Sequence, residues 1–177
     1  GSRIPRIHDI VTSGEYMALV LQYVPGCDLA ELLKRAAPLP VSMAVSICTD
    51  ITAALAALHR HQLVHGDLSP GNVVLDPRGR ALLIDFGIAA GAGRRALAGT
   101  RLAVTPEHVR REALTPQSDF FALGLLLYRM LYGEHPFVSE GSVDNRRLLN
   151  GLPNLPDGAE LAVDARPLLE DLLRSLL

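Results

Sequence analysis

The stretch His65-Gly66-Asp67-Leu68-Ser69-Pro70-Gly71-Asn72, followed thirteen residues after Asn72 by Asp85-Phe86-Gly87, decides how this chain is read. Between the two lie Val73-Val74-Leu75 and Ala81-Leu82-Leu83-Ile84, β-type runs separated by the turn signal Asp76-Pro77-Arg78-Gly79. Asn72 and Asp85 therefore stand at the two ends of a small hairpin, which brings them together in space. Upstream, Val45, Cys48, Ile51, Leu55 and Leu58 recur at helical spacing, so a helix capped at Ser42 and running to about Gln62 delivers the chain to the loop.

Working outward, apolar runs at 4–10 and 16–23 flank Ser13-Gly14 and suit a hairpin of two short strands. Pro25-Gly26 punctuates the chain, and Asp28 is placed to cap a helix over 29–35 that Pro38 and Pro40 stop. On the other side, residues 87–102 are rich in Gly and Ala with no clear period, as expected of a functional loop. Residues 118–132 read as a helix apolar nearly all round, ended by Gly133, and such a helix forms the axis of a core. A polar loop after Pro136-Phe137, a short helix near 143–150, a Gly/Pro-rich stretch through Gly158 and a last helix from about Asp164 complete the chain. The fold class expected is mainly α with small β hairpins.

Composition sets the outer limits. The 177 residues, 49% apolar and 20% charged, suffice for a globular domain with a sizeable core. A net charge of -2 and a pI near 6.3 leave no electrostatic footprint for nucleic acid. Cys27 and Cys48 have neither disulfide-framework nor zinc spacing, which points to a reducing, cytoplasmic setting. The apolar run at 120–131 falls short of the ~20 residues that span a bilayer, so no membrane segment is expected. Sixteen of the seventeen basic residues are Arg, and Lys34 is the single lysine, so a mechanism needing a lysine must use that one or look outside the chain.

The ordered set of motifs resembles the eukaryotic-like, bacterial-type Ser/Thr protein kinase family over nearly the whole length, mainly its C-terminal lobe. His65 to Asn72 is similar to the catalytic loop and Asp85-Phe86-Gly87 to the magnesium-binding turn. Leu21-Gln22-Tyr23-Val24-Pro25-Gly26 resembles the hinge, with Leu21 at the gatekeeper position. Gly99-Thr100 through Thr105-Pro106-Glu107 resembles the end of the activation segment, with Thr105 in place of the usual Ala. Asp119 with Leu123-Gly124 resembles the start of the central buried helix. Phosphoryl transfer needs one carboxylate to orient the attacking hydroxyl, and an amide oxygen plus a second carboxylate to hold Mg²⁺ on the phosphates. The resemblance thus implies Asp67 as catalytic base, Asn72 and Asp85 as Mg²⁺ ligands, and the backbone of Gln22 and Val24 facing the adenine of ATP. Asp28 caps its helix, touches the ribose, or does both. Thr100 belongs to the platform for the substrate protein, and His65, Phe86, Gly87, Glu107 and Asp119 lend structural support. His8, His59, His61, His108 and His135 show no ligand spacing and read as surface or packing residues.

Departures from the family pattern sharpen the expectation. Gly66 stands where most such kinases carry the Arg that binds a phosphate on the activation loop, and residues 88–98 contain no Ser, Thr or Tyr. Both imply a kinase not switched on by phosphorylation of that stretch. Ser69 replaces the lysine that steadies the transferring phosphate, which weakens transition-state stabilisation. His-Gly-Asp with a non-lysine also looks like the loop of the RIO and aminoglycoside phosphotransferase relatives. No glycine-rich loop or Val-Ala-x-Lys strand precedes the hinge, and no Arg follows the final helix to pair with Glu107.

The expectation is therefore residues 1–24 as a remnant of N-lobe strands and hinge, with the N-lobe largely absent, and 25–177 as a C-lobe incomplete at its end. The parent would transfer the γ-phosphate of Mg-ATP to a protein hydroxyl, and this fragment alone would turn over little, lacking an N-lobe or regulatory partner. The rivals are a pseudokinase or interaction module, which the intact Asp67, Asn72 and Asp85 argue against, and a small-molecule phosphotransferase. The arginine bias suits a bacterial origin.

Overall fold

The N-terminal end forms a single antiparallel hairpin, β1 (Ile7–Ser13) and β2 (Tyr16–Leu21), which turns at Gly14 with φ +59°. The computed structural model describes residues 2–85, 90–91, 103–139, 142–151 and 165–177, with backbone alone at 90, 91, 139, 165 and 166. Phe86, Gly87 and Thr100 lie outside the described residues, as does most of the 87–102 loop.

After the hairpin, β3 (Cys27–Asp28) leads directly into α1 (Leu29–Ala36), because the Asp28 carboxylate accepts the Glu31 N–H at 2.7 Å, satisfying one of the donors a helix start leaves open. The next helix, α2 (Val41–Arg60), differs from the expected cap. Ser42 lies inside its first turn, and the Pro40 carbonyl accepts the N–H groups of Met43 and Ala44. Proline is suited to the edge of a helix because its fixed φ and missing N–H cost nothing there. β4 (Leu63–Val64) follows, then a 3₁₀ turn at Pro70–Asn72, β5 (Val73–Leu75) and β6 (Ala81–Leu83).

β5 and β6 form the expected hairpin, Val73 opposite Leu83 and Leu75 opposite Ala81, and β3 pairs on the outer side of β5. Gly26 permits this approach, since a Cβ there would lie 2.0 Å from the Leu75 carbonyl oxygen. β7 (Ala90–Gly91) pairs with β4. Then come α3 (Pro106–Arg110), α4 (Pro116–Tyr132), a small hairpin of β8 (Val138–Ser139) and β9 (Ser142–Val143) where only a loop was expected, α5 (Asn145–Asn150) and α6 (Ala165–Leu176).

The core gathers around α2 and α4. Twelve of the seventeen residues of α4 are buried, in keeping with a helix apolar all round. α2 buries Ala44, Ile47, Asp50, Ile51, Ala54, Leu55 and Leu58 against α4 and β6. Of the five residues at helical spacing, Ile51, Leu55 and Leu58 are buried, and the other two are not. Val45 and Cys48 instead line an apolar groove of about 390 Å³ with Phe120, Leu123, Leu127, Leu172 and Leu176. The 20 residues of α2 are by length and composition enough to cross a bilayer, but one face of α2 is built into the core, so it is not a clear membrane span. α6 closes on α4 at Gly124, where a Cβ would lie 2.8 Å from that of Leu176.

Candidate functional site

The loop at 65–69 has little strand partnership, so its buried N–H groups need acceptors from elsewhere. α4 supplies them. Asp119, 1% exposed, accepts the His65 N–H at 2.9 Å through Oδ2 and the Gly66 N–H at 2.8 Å through Oδ1. His59 Nε2 lies 2.8 Å from Oδ2 of the same carboxylate and packs edge-on to Phe120. A carboxylate holding three donors is held in turn, and the loop is fixed to the axis of the core. His59, expected to be a surface or packing residue, is thus part of the support. The available signal was its place in the last turn of α2, six residues before His65, within reach of a buried acid that needs donors.

His65 is fully buried, and its Nδ1 accepts the Asp67 N–H at 3.3 Å. Burial pushes its pKa below the ordinary histidine range, against the pull of Asp119 and of a backbone hydrogen bond at Ile84, so the ring stays neutral and architectural. Gly66 has φ +76°, in the left-handed region that favours glycine, and a Cβ there would meet Leu114 Cδ1 at 2.7 Å.

Asp67, half-buried, points its carboxylate to Asn72. The Asn72 Nδ2 donates to the Asp67 carbonyl at 2.9 Å and lies 3.5 Å from Asp67 Oδ2, which turns the Asn72 amide oxygen to the opposite side. The Asn72 carbonyl accepts the Ile84 N–H at 2.8 Å, so Asp85 is one residue from a direct link to Asn72. Asp85 is exposed and adopts φ +60°, a conformation that Asp tolerates better than most residues. The hairpin turn that sets this spacing is closed by Asp76, whose carboxylate accepts from Arg78 N, Arg80 N and Arg80 Nε. Arg80 holds its pKa down to about 2.

Asp67, Asn72 and Asp85 are thus brought together, while Ser69 is buried and contributes no cation. Among the described residues no group of three His, Cys, Asp or Glu side chains converges. One carboxylate and one amide oxygen suit Mg²⁺, which keeps most of its positions for water and phosphate oxygens.

The Gln22 N–H is taken by the Arg6 carbonyl at 2.8 Å, so its own carbonyl and the Val24 backbone are what this segment can offer a purine. Asp28 caps α1 and sits opposite Val74 on β5, two residues from Asn72, so the two motifs share one small sheet. Glu107 places Oε2 in a buried position without a hydrogen-bond partner among the described residues. Next to it, His108 Nδ1 lies 2.9 Å from the Thr105 hydroxyl and accepts the Thr105 N–H, and burial lowers its pKa.

The model of the protein kinase domain matches residues 1–175. A serine/threonine-protein kinase of Corynebacterium efficiens is 37% identical over 131 residues, covering 71% of this chain and 25% of that protein. Serine/threonine-protein kinase PknA of Corynebacterium glutamicum is 34% identical, covering 71% and 28%. PrkC of Bacillus subtilis is 32% identical over 146 residues, covering 79% and 22%. The chain therefore spans about a quarter of the length of these bacterial relatives. With a matching domain and the loop, hairpin and buried aspartate in the family's order, this chain belongs to the protein kinase family.

Proposed function

We propose that the protein transfers the γ-phosphate of Mg-ATP to a serine or threonine hydroxyl of a protein substrate. The observation that carries this reading is the junction of Asp67, Asn72 and Asp85, tied by the Asn72 amide on one side and the Ile84 N–H on the other. Bound Mg²⁺ would neutralise charge on the phosphates. Asp67 accepts the proton of the attacking hydroxyl and orients it, while Asn72 and Asp85 offer the metal ligands and the Gln22–Val24 backbone receives the purine. With Ser69 buried and no lysine in that loop, stabilisation of the transferring group rests on the metal, which predicts slow turnover. Lys34, exposed on α1, is not placed to replace a lysine at the phosphates. Residues 1–24 act as small-lobe strands and hinge and 25–177 as the large lobe, and the two thiols, Cys48 pushed up to about 12 by burial, suit a reducing, cytoplasmic setting.

Gly66 and the hydroxyl-free stretch at 88–98 support a kinase that works without phosphorylation of that stretch. Transfer of radiolabelled phosphate from ATP to a protein substrate, measured for the full-length protein, should fall at least about a hundredfold in Asp67→Ala. Equal transfer by both would sink the proposal. Transfer only to a small alcohol would favour a small-molecule phosphotransferase, and tight partner binding with no transfer an interaction module. A many-fold activation by phosphate on Thr100 would overturn the regulatory part.

A further inference from the structure

The strand that delivers Asp85 is short and lies at the open edge of its sheet. β6 has three residues, and its inward groups pair with β5. Its outward N–H groups, at Ala81 and Leu83, go to two acceptors far apart in sequence. Ala81 N donates to Asp50 Oδ2 on α2 at 2.9 Å, and Leu83 N donates to the Arg3 carbonyl at 2.9 Å. The Arg3 Nε then closes the circuit on Asp50 Oδ1 at 2.6 Å. Both side chains are largely shielded from solvent, at 23% and 12% exposed, so the pair is screened less than a surface one.

We propose that Arg3 and Asp50 are positioning residues that fix the register of β6 and, two residues beyond Leu83, the place of Asp85. The proposal rests on the reading of Asp85 as a metal ligand. Arg3 grips the strand twice, by its own carbonyl and through Asp50, and it belongs to the segment that leads into β1. A displacement of that segment is therefore transmitted to the metal carboxylate through one backbone bond and one ion pair. Truncating Arg3 leaves the Asp50 carboxylate on Ala81 N without its cation, and Asp50→Asn keeps an acceptor for that N–H but loses the charge.

The test uses the 177-residue chain and Mn²⁺ alone as the probe, read by paramagnetic broadening of backbone amides. In the parent, broadening centres on Asn72 and Asp85. Arg3→Met and Asp50→Asn should each weaken apparent Mn²⁺ affinity roughly tenfold, the scale for losing an outer support of a metal ligand. Arg3→Lys, which retains the cation, should recover most of it. Hydrogen exchange at Ala81 and Leu83 should accelerate in Arg3→Met and return toward the parent in Arg3→Lys. A lowered melting temperature with Mn²⁺ affinity within twofold of the parent would overturn the proposal and leave a merely structural ion pair. Failure of the site reading looks different: no broadening at Asn72 and Asp85 in the parent, or a titration unchanged by Asp85→Asn. Either result overturns the metal role of Arg3 and Asp50 as well, even if exchange at Ala81 and Leu83 still follows the ion pair.

Discussion

The loop at 65–72 and the β1–β2 hairpin satisfy their backbones in opposite ways. The loop depends on distant groups: Asp119, 53 and 54 residues away, takes two of its N–H groups, and the loop is buried as a result, with His65 fully enclosed. The hairpin pairs its strands with each other and leaves large apolar side chains in solvent, Ile7 at 61%, Met17 at 69% and Tyr16 at 84% exposed. One region is held by buried polar contacts between remote parts of the chain, the other by local pairing that is marginal by itself. Substitutions should therefore be costly in the loop's supports and cheap on the hairpin.

The strongest test of that contrast is Asp119→Ala. It leaves the His65 and Gly66 N–H groups and the His59 ring without their common acceptor in a buried place, and each buried donor left unsatisfied costs about 1–3 kcal/mol. Urea denaturation should show the loss, and a change under about 1 kcal/mol, the size of one ordinary hydrogen bond, would break the comparison. Gly66→Arg, which puts back the residue most such kinases carry, should cost less. The left-handed φ of +76° is worth about 1–2 kcal/mol to a residue with a Cβ, and Leu114 must move as well, though as the end of a flexible side chain it can. A stabilised Gly66→Arg variant would mean that the left-handed turn is not what keeps glycine there.

Acid sharpens the same contrast. His65 and His108 are held below the ordinary histidine pKa chiefly by burial. The unfolded chain, with histidines near 6.5, therefore binds protons first as pH falls, so the stability from keeping both rings neutral is complete above about pH 6.5 and drains away below it, toward the lowered folded values. Melting temperature should drop between pH 7.5 and 5.5, and His108→Gln should flatten that slope. A flat profile in the parent would show that neither ring matters to acid stability.

How much of this was legible in the sequence depended on the range of the interaction. The β5–β6 hairpin, the Asp28 cap and the Gly133 stop follow from neighbours in sequence, and they are where the spacing placed them. The cap of α2 moved from Ser42 to Pro40, since either residue fits a helix start and it is the Pro40 carbonyl that accepts the first helical N–H groups. The spacing found Ile51, Leu55 and Leu58 on the buried face of α2, but it could not tell Val45 and Cys48 from Ala44 and Ile47, because only the directions of α4 and α6 decide which of these go inward. The partners of His59 and Asp50 were missed for a related reason. A polar residue on a mostly apolar helix suggests solvent until the remote donor or acceptor it meets is known, here Asp119 and Ala81 N. The closeness of Asn72 and Asp85 was legible because a short hairpin joins them.

The smallest effect belongs to the hairpin. Tyr16→Thr and Met17→Thr place a β-branched residue suited to a strand on β2 and remove apolar surface that is mostly in solvent. Each should change stability by no more than about 0.5 kcal/mol in the same urea titration, as surface substitutions generally do. Together they should lower self-association at high concentration, measured by light scattering, because contiguous exposed apolar side chains on a strand pair are an adhesive surface. A loss above about 1 kcal/mol from either, on the scale of a buried side chain, would show that the hairpin packs on something in solution, and the opposition between a loop fixed from afar and a hairpin fixed by itself would no longer hold.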